Sequence, residues 1–123
     1  PDFIAISAGQ DCHFTDPITS LAVTTRGYAE LMASAVGLSE RLCEGRLVVV
    51  LEGGYGVEGA LPYTNLGIIA ALAGLDLSLI REPEIYLPLL DMAKDPNSMG
   101  KAVEMKDNLR KILGDFWEFA SRS

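Results

Sequence analysis

Arg46-Leu47-Val48-Val49-Val50-Leu51-Glu52-Gly53-Gly54-Tyr55-Gly56 is the stretch that decides the fold. Leu47 to Leu51 is an unbroken apolar run with three β-branched valines at its centre, which predicts a strand buried on both faces. The run stops at Gly53-Gly54 and leaves Tyr55 at the strand's carboxyl end. In an open α/β sheet, ligands gather just outside those ends. Glycine there permits backbone geometry, or a close ligand approach, that a Cβ would hinder. Two readings of Tyr55 stand at this point: a reactive phenol beside a side-chain-free turn, or a buried turn tyrosine bonded to a carbonyl.

Upstream, Phe3-Ile4-Ala5-Ile6-Ser7-Ala8-Gly9 reads as a second short buried strand that ends at glycine. The polar loop Gln10-Asp11-Cys12-His13-Phe14-Thr15-Asp16-Pro17 leaves its carboxyl end, as the Tyr55 loop leaves the other. That loop carries the only histidine of the chain and two carboxylates. Thr24-Thr25 then offers a helix N-cap, since a threonine hydroxyl accepts from the first free helical amides. Tyr28, Leu31, Met32, Ala35, Val36 and Leu42 fit one helical face, flanked by Leu38. Glu44-Gly45 ends the helix, glycine being suited to a left-handed stop. Strand, helix, strand is a βαβ unit, so the two strands should run parallel with a right-handed crossover.

Downstream, residues 57–73 are helical by composition. Pro62 is tolerated only in a first turn, so the regular helix should start near Leu61 and stop at Gly74. Leu66, Ile69, Ala70 and Ala73 can face the sheet, with Ile68 and Leu72 widening the stripe. Residues 1–75 thus form a βαβα unit. Residues 76–97 contain Pro83, Pro88 and Pro96 and read as an irregular connection with one short helix at Leu87–Ala93. A last helix is expected over 98–120. Its stripe is Ala102, Met105, Leu109, Ile112, Leu113, Phe116 and Trp117, the last two as core anchors, and Gly114 weakens its continuity.

Composition narrows the function. The 123 residues are 49% hydrophobic, with a mean hydropathy of +0.22. That is high for a free-standing domain of this size, and implies apolar surface that packs against something else. The chain opens Pro-Asp-Phe-Ile and runs almost at once into a strand, which reads as a piece of a longer protein. The net charge of -7 supplies no clustered cationic surface for phosphate, so direct nucleic-acid binding is excluded. Cys12 and Cys43 match no metal or redox spacing; reduced thiols and a cytoplasmic setting follow. The longest apolar stretch, Ile68 to Ala73, is too short to span a bilayer, so no membrane association is expected.

Several local patterns carry possible chemistry. Asp11 and His13 form Asp-x-His, which can give a zinc or iron ion two ligands. An open zinc site usually takes three, the third here from Asp16, Glu52 or outside the chain. The competing reading is an ordinary turn punctuated by Asp16-Pro17. Gly54-Tyr55-Gly56-Val57-Glu58-Gly59 formally matches the dinucleotide fingerprint after a strand, but Pro62 delays the helix past the third glycine. Cys12 beside His13 is a weak pairing for a nucleophile and base, because adjacent loop residues rarely aim at each other. No G-x-S-x-G motif is present.

Taken jointly, Ser7-Ala8-Gly9-Gln10-Asp11-Cys12-His13 with Asp16-Pro17, Leu21 with Thr24-Thr25 and Gly27-Tyr28, and Gly45-Arg46-Leu47-Val48-Val49-Val50-Leu51-Glu52-Gly53-Gly54-Tyr55 resemble the C-terminal part of the histone deacetylase family. The likeness is greatest to the branch of class II enzymes, prokaryotic deacetylase-like proteins and acetylpolyamine amidohydrolases. It covers residues 3–75, and residues 98–118 are compatible with the family's closing helix. The resemblance implies an α/β fold of the arginase–deacetylase type, a three-layer αβα arrangement with a parallel sheet. It implies a zinc-dependent amidohydrolase acting on acetylated lysine or acetylated polyamines.

By that resemblance Asp11 matches a zinc-ligating aspartate and Tyr55 the catalytic tyrosine that stabilises the oxyanion. Gly53 and Gly54 match glycines lining the substrate channel. His13 falls where the family varies and takes no zinc role. Gln10 stands where the family usually has an apolar residue, which makes the wall beside Asp11 more polar. The family's histidine pair, serving as general base, and its remaining zinc ligands lie upstream of any residue of this chain. The chain alone is therefore expected to be inactive, to need the N-terminal part of the same domain as its partner, and to self-associate in isolation. Two rivals remain: a non-catalytic interaction or scaffold module that retains the fold, and arginase-like chemistry. A two-metal cluster rich in aspartate and histidine would mark the latter.

Overall fold

The structure, a computed structural model, describes residues 1–19 and 21–117. Two compact units are present, Pro1–Ala93 and Lys94–Ser123. The first holds strand β1 (Ile4–Ala8), helix α1 (Thr25–Cys43), strand β2 (Leu47–Leu51), helix α2 (Ala60–Leu72) and a short helix α3 (Leu87–Ala93). Single 3-10 turns occupy Gln10–Cys12, Leu77–Leu79 and Glu84–Tyr86. β1 and β2 are parallel, in the register Ile4↔Leu47 to Ala8↔Leu51. Both loops that carry the candidate residues therefore leave the same end of the sheet.

The caps have their expected chemistry. Thr24 Oγ1 accepts from the Gly27 amide at 2.9 Å and opens α1. α1 closes through two left-handed residues, Glu44 (φ 55°) and Gly45 (φ 76°). Pro62 falls in the first turn of α2, where its missing N–H costs nothing.

Packing differs from the expectation in three ways. β2 is covered on one face only. Leu47 and Val49 pack toward Met32, Ile68 and Ala71, whereas Val48 and Val50 are 52% and 53% exposed. Within the first unit, the described residues of α1 and α2 pack on the face of Leu47 and Val49, and the face of Val48 and Val50 is left exposed. α1 buries Thr25, Ala29, Met32, Ser39 and Cys43, while Leu31, Leu38 and Leu42 face outward. α2 buries Thr64, Gly67, Ile68, Ala70 and Ala71, and Leu66 and Ile69 are exposed. The reason lies in the α1–α2 contact. A Cβ on Gly67 would lie 3.2 Å from the Thr25 carbonyl and 3.3 Å from Ala29 Cβ. Close helix approach selects small residues for the buried stripe and turns the large ones outward.

The second unit is described through residue 117. Helix α4 (Ser98–Leu113) buries none of its residues. Phe116 and Trp117, expected as core anchors, are 78% and 62% exposed. The helix ends before Gly114, and the expected continuation over 118–120 lies outside the described residues.

Candidate active site at the carboxyl ends of the strands

Asp11 sits on the 3-10 turn that follows β1 directly. Its carboxylate lies across the rim against the second loop. A Cβ on Gly53 would be 3.4 Å from Asp11 Oδ1, and one on Gly9 would be 2.9 Å from the same atom. Side-chain-free backbone on both sides makes room for this carboxylate. Gly53 (φ 91°) and Gly54 (φ 118°) also adopt backbone angles that disfavour any other residue. Gly54 is further constrained by packing, because a Cβ there would meet Leu61 Cδ1 at 2.7 Å and Gln10 Cβ at 3.1 Å.

Tyr55 follows these glycines and is 52% exposed, not buried in the turn. It lines an open cleft of about 410 Å³ with Thr15, Pro17, Glu58, Gly59 and Tyr86. Gln10 is buried. With its amide nitrogen turned toward the Ala8 and Gly53 carbonyls, 2.9 and 3.0 Å away, it donates to both and ties the strand ends together. The Tyr28 hydroxyl donates to the Gly9 carbonyl at 3.0 Å. Burial pushes that phenol well above its ordinary pKa, keeping it a neutral donor.

His13 takes a different course from Asp11, two residues away. It is fully buried. The Thr15 amide donates to its Nδ1 at 3.2 Å, so the ring proton belongs on Nε2, which meets Glu82 Oε2 at 3.1 Å. Both ring nitrogens are engaged, and the Asp-x-His pair does not converge on one point. Among the described residues, no group of three histidine, cysteine or carboxylate side chains could hold a metal. Asp11 has the right donor chemistry for zinc, a carboxylate oxygen in a side-chain-free cradle. It would supply one ligand of the set and no more.

Two residues at this rim have partners that the sequence reading did not anticipate. Glu82 comes from the segment read as irregular, and also accepts from the Thr25 amide and hydroxyl at the start of α1. Burial would raise its pKa, but the His13 and Thr25 donors outweigh this and hold it below the ordinary glutamate value. Asp16, read either as turn punctuation or as a third metal ligand, is 8% exposed and accepts from the Tyr55 amide at 2.8 Å. The motif Asp16-Pro17 pointed to a turn; nothing in the local pattern pointed to a partner 39 residues away.

A parallel α/β unit with a carboxylate, a glycine pair and a half-exposed tyrosine at the strands' carboxyl ends belongs to the class of open-sheet proteins with a site at that rim. Residues 1–70 match the histone deacetylase domain. A probable deacetylase of Archaeoglobus fulgidus is 62% identical over 118 residues, 96% of this chain and 33% of that protein. A histone deacetylase-like amidohydrolase of Pseudomonas aeruginosa is 34% identical, covering 68% of this chain and 21% of that protein. The crystal structure of the HDA15 HD domain superposes with a TM-score of 0.53 at 29% identity, covering 76% of this chain and 24% of that one. The chain belongs to the histone deacetylase family and has its arginase–deacetylase type fold. It spans about a third of the length of the archaeal relative.

Proposed function

We propose that this chain is the C-terminal part of a zinc-dependent deacetylase that hydrolyses acetylated amines, acetyl-lysine or acetylated polyamines. Residues 1–75 are the βαβα part of one catalytic domain, 76–97 a connection, and the segment from residue 98, with helix α4 over Ser98–Leu113, its C-terminal part. The observation that carries the reading is the rim itself: Asp11 lies against Gly53, two residues before Tyr55, at the common carboxyl end of two parallel strands.

Asp11 offers a carboxylate oxygen as one zinc ligand. Gly53 and Gly54 leave the approach to the rim free of side chains, as a narrow substrate arm requires. Tyr55 donates a hydrogen bond from its phenolic hydroxyl to the oxygen that becomes negative when the acetyl carbonyl is attacked. Zinc, when bound, supplies Lewis acidity toward that carbonyl and toward the attacking water. The general base comes from the N-terminal remainder of the domain, because the chain's one histidine is buried against Glu82 with both nitrogens occupied. A cytoplasmic setting agrees with two free cysteines. No described helix is long and apolar enough to cross a membrane.

The test is made in the full-length protein on an acetyl-lysine peptide and an acetylated polyamine. Tyr55→Phe should lower kcat about 100- to 1,000-fold, the cost of one oxyanion donor, or on the order of 3 kcal/mol. Asp11→Ala should lose bound zinc by elemental analysis together with activity. Wild-type rates in both variants would reject the assignment. A scaffold module that kept the fold is the second reading. It predicts a full-length protein without bound zinc.

A further inference from the structure

We infer that Asp16 is the positioning residue for Tyr55: from the loop after β1 its carboxylate grips the backbone at Tyr55 and fixes where the phenol stands. The inference rests on Tyr55 acting as the oxyanion donor.

The need for such a grip comes from the glycines. Between the end of β2 and Tyr55 the chain passes through Gly53 and Gly54, both with positive φ. Glycine restricts its own torsions least of all residues, so rotation there would swing everything that follows. The Gln10 backbone amide donates to the Gly53 carbonyl at 3.3 Å, but the torsions of Gly54 lie between that bond and Tyr55. Asp16 acts after them.

Asp16 Oδ2 accepts from the Tyr55 amide at 2.8 Å. Asp16 Oδ1 accepts from the Ile18 amide at 2.9 Å. One donor thus comes from its own loop and one from the loop of Tyr55. Each carboxylate oxygen takes one N–H, which an ionised carboxylate satisfies with both oxygens and a neutral amide, with its one oxygen, satisfies incompletely. Burial by itself would raise the carboxyl's pKa. Hydrogen bonds from backbone amides reverse that and hold it below the ordinary aspartate value, so the group is ionised at neutral pH.

A turn residue with no catalytic consequence would also bond Ile18, so the experiment must separate the two roles. In the full-length enzyme, Asp16→Ala and Asp16→Asn are made alone and together with Tyr55→Phe. The readouts are kcat, KM, zinc content and thermal midpoint. Asp16→Ala should lower kcat roughly 100-fold with KM and zinc content little changed, the scale expected for about 1 Å of misplacement. Asp16→Asn keeps one acceptor oxygen and should retain more activity than Asp16→Ala. In the Tyr55→Phe background, where no phenol is left to place, either substitution should change kcat less than about 3-fold. The same fall in both backgrounds would overturn the inference, as would folded Asp16 variants with wild-type kcat. Should Asp16→Ala fail to fold, the near-isosteric Asp16→Asn carries the same comparison. A wild-type rate in Tyr55→Phe alone would instead reject the role of Tyr55.

Discussion

Glu82 shows how one side chain can hold together segments distant in sequence. Its carboxylate meets His13 from the β1 loop and Thr25 at the N-terminus of α1, so a single group joins three segments. Removing it strands a buried imidazole N–H and a helical amide. Glu82→Ala should cost on the order of 3 kcal/mol in denaturant unfolding, because uncompensated buried donors are expensive. The pH dependence has a defined sign. The pKa of Glu82 is lower in the fold than in the unfolded chain. Its contribution is therefore present above the unfolded value, about 4.3, and is lost as pH falls through the folded value. Unfolding followed between pH 6 and 3 should lose less stability in Glu82→Gln than in the parent over that window. The residues of this network illustrate why the site was only partly legible. Asp11, Gly53, Gly54 and Tyr55 lie in contiguous motifs at strand ends. Glu82 and Asp16 act through partners 69 and 39 residues away, and no periodicity or local spacing records such a pairing.

At the scale of elements, the type and order of β1, α1, β2 and α2 follow from apolar runs, capping threonine and stop glycines. The faces were less legible. A hydrophobicity stripe assumes that the largest apolar residues face inward, but α1 and α2 approach so closely that Ala29 and Gly67 occupy the contact. Two glycines test this directly. Gly37 in α1 has only the end of the Arg41 side chain within reach of an added Cβ, at 3.7 Å. Gly37→Ala should stabilise by up to about 1 kcal/mol, the helix-propensity difference. Gly67→Ala gains the same propensity but drives its methyl against the Thr25 carbonyl, Ala29 and Ile80 at 3.2–3.3 Å. Overpacking of this kind costs about 1–3 kcal/mol, so the net effect should be destabilising. Thermal unfolding of the two variants should move in opposite directions; movement in the same direction would mean that the helix contact is softer than the geometry indicates.

For the whole molecule the decisive feature is the uncovered side of the sheet. Alternation along β2 sends Leu47 and Val49 into the core and Val48 and Val50 outward, and β1 does the same with Ala5 and Ser7. A valine-rich run of this kind belongs to a strand covered on both sides. Burying each of the two valines fully would contribute roughly 1.5–3 kcal/mol, a substantial share of the stability of a small domain. Both strands also have an outer edge with no strand beside it among the described residues, and free edges recruit other strands. The 123-residue chain alone should therefore self-associate, shown by light scattering above the monomer mass and by binding of a hydrophobic dye. Co-expression with the N-terminal remainder of the proposed parent should suppress both. Val48→Thr with Val50→Thr should reduce dye binding of the isolated chain while leaving β1–β2 pairing intact, since threonine keeps the β-branched shape. A clean monomer that binds no dye would show that the exposed valines do not make a sticky surface, and the need for a second layer would then rest on the proposed catalytic residues alone.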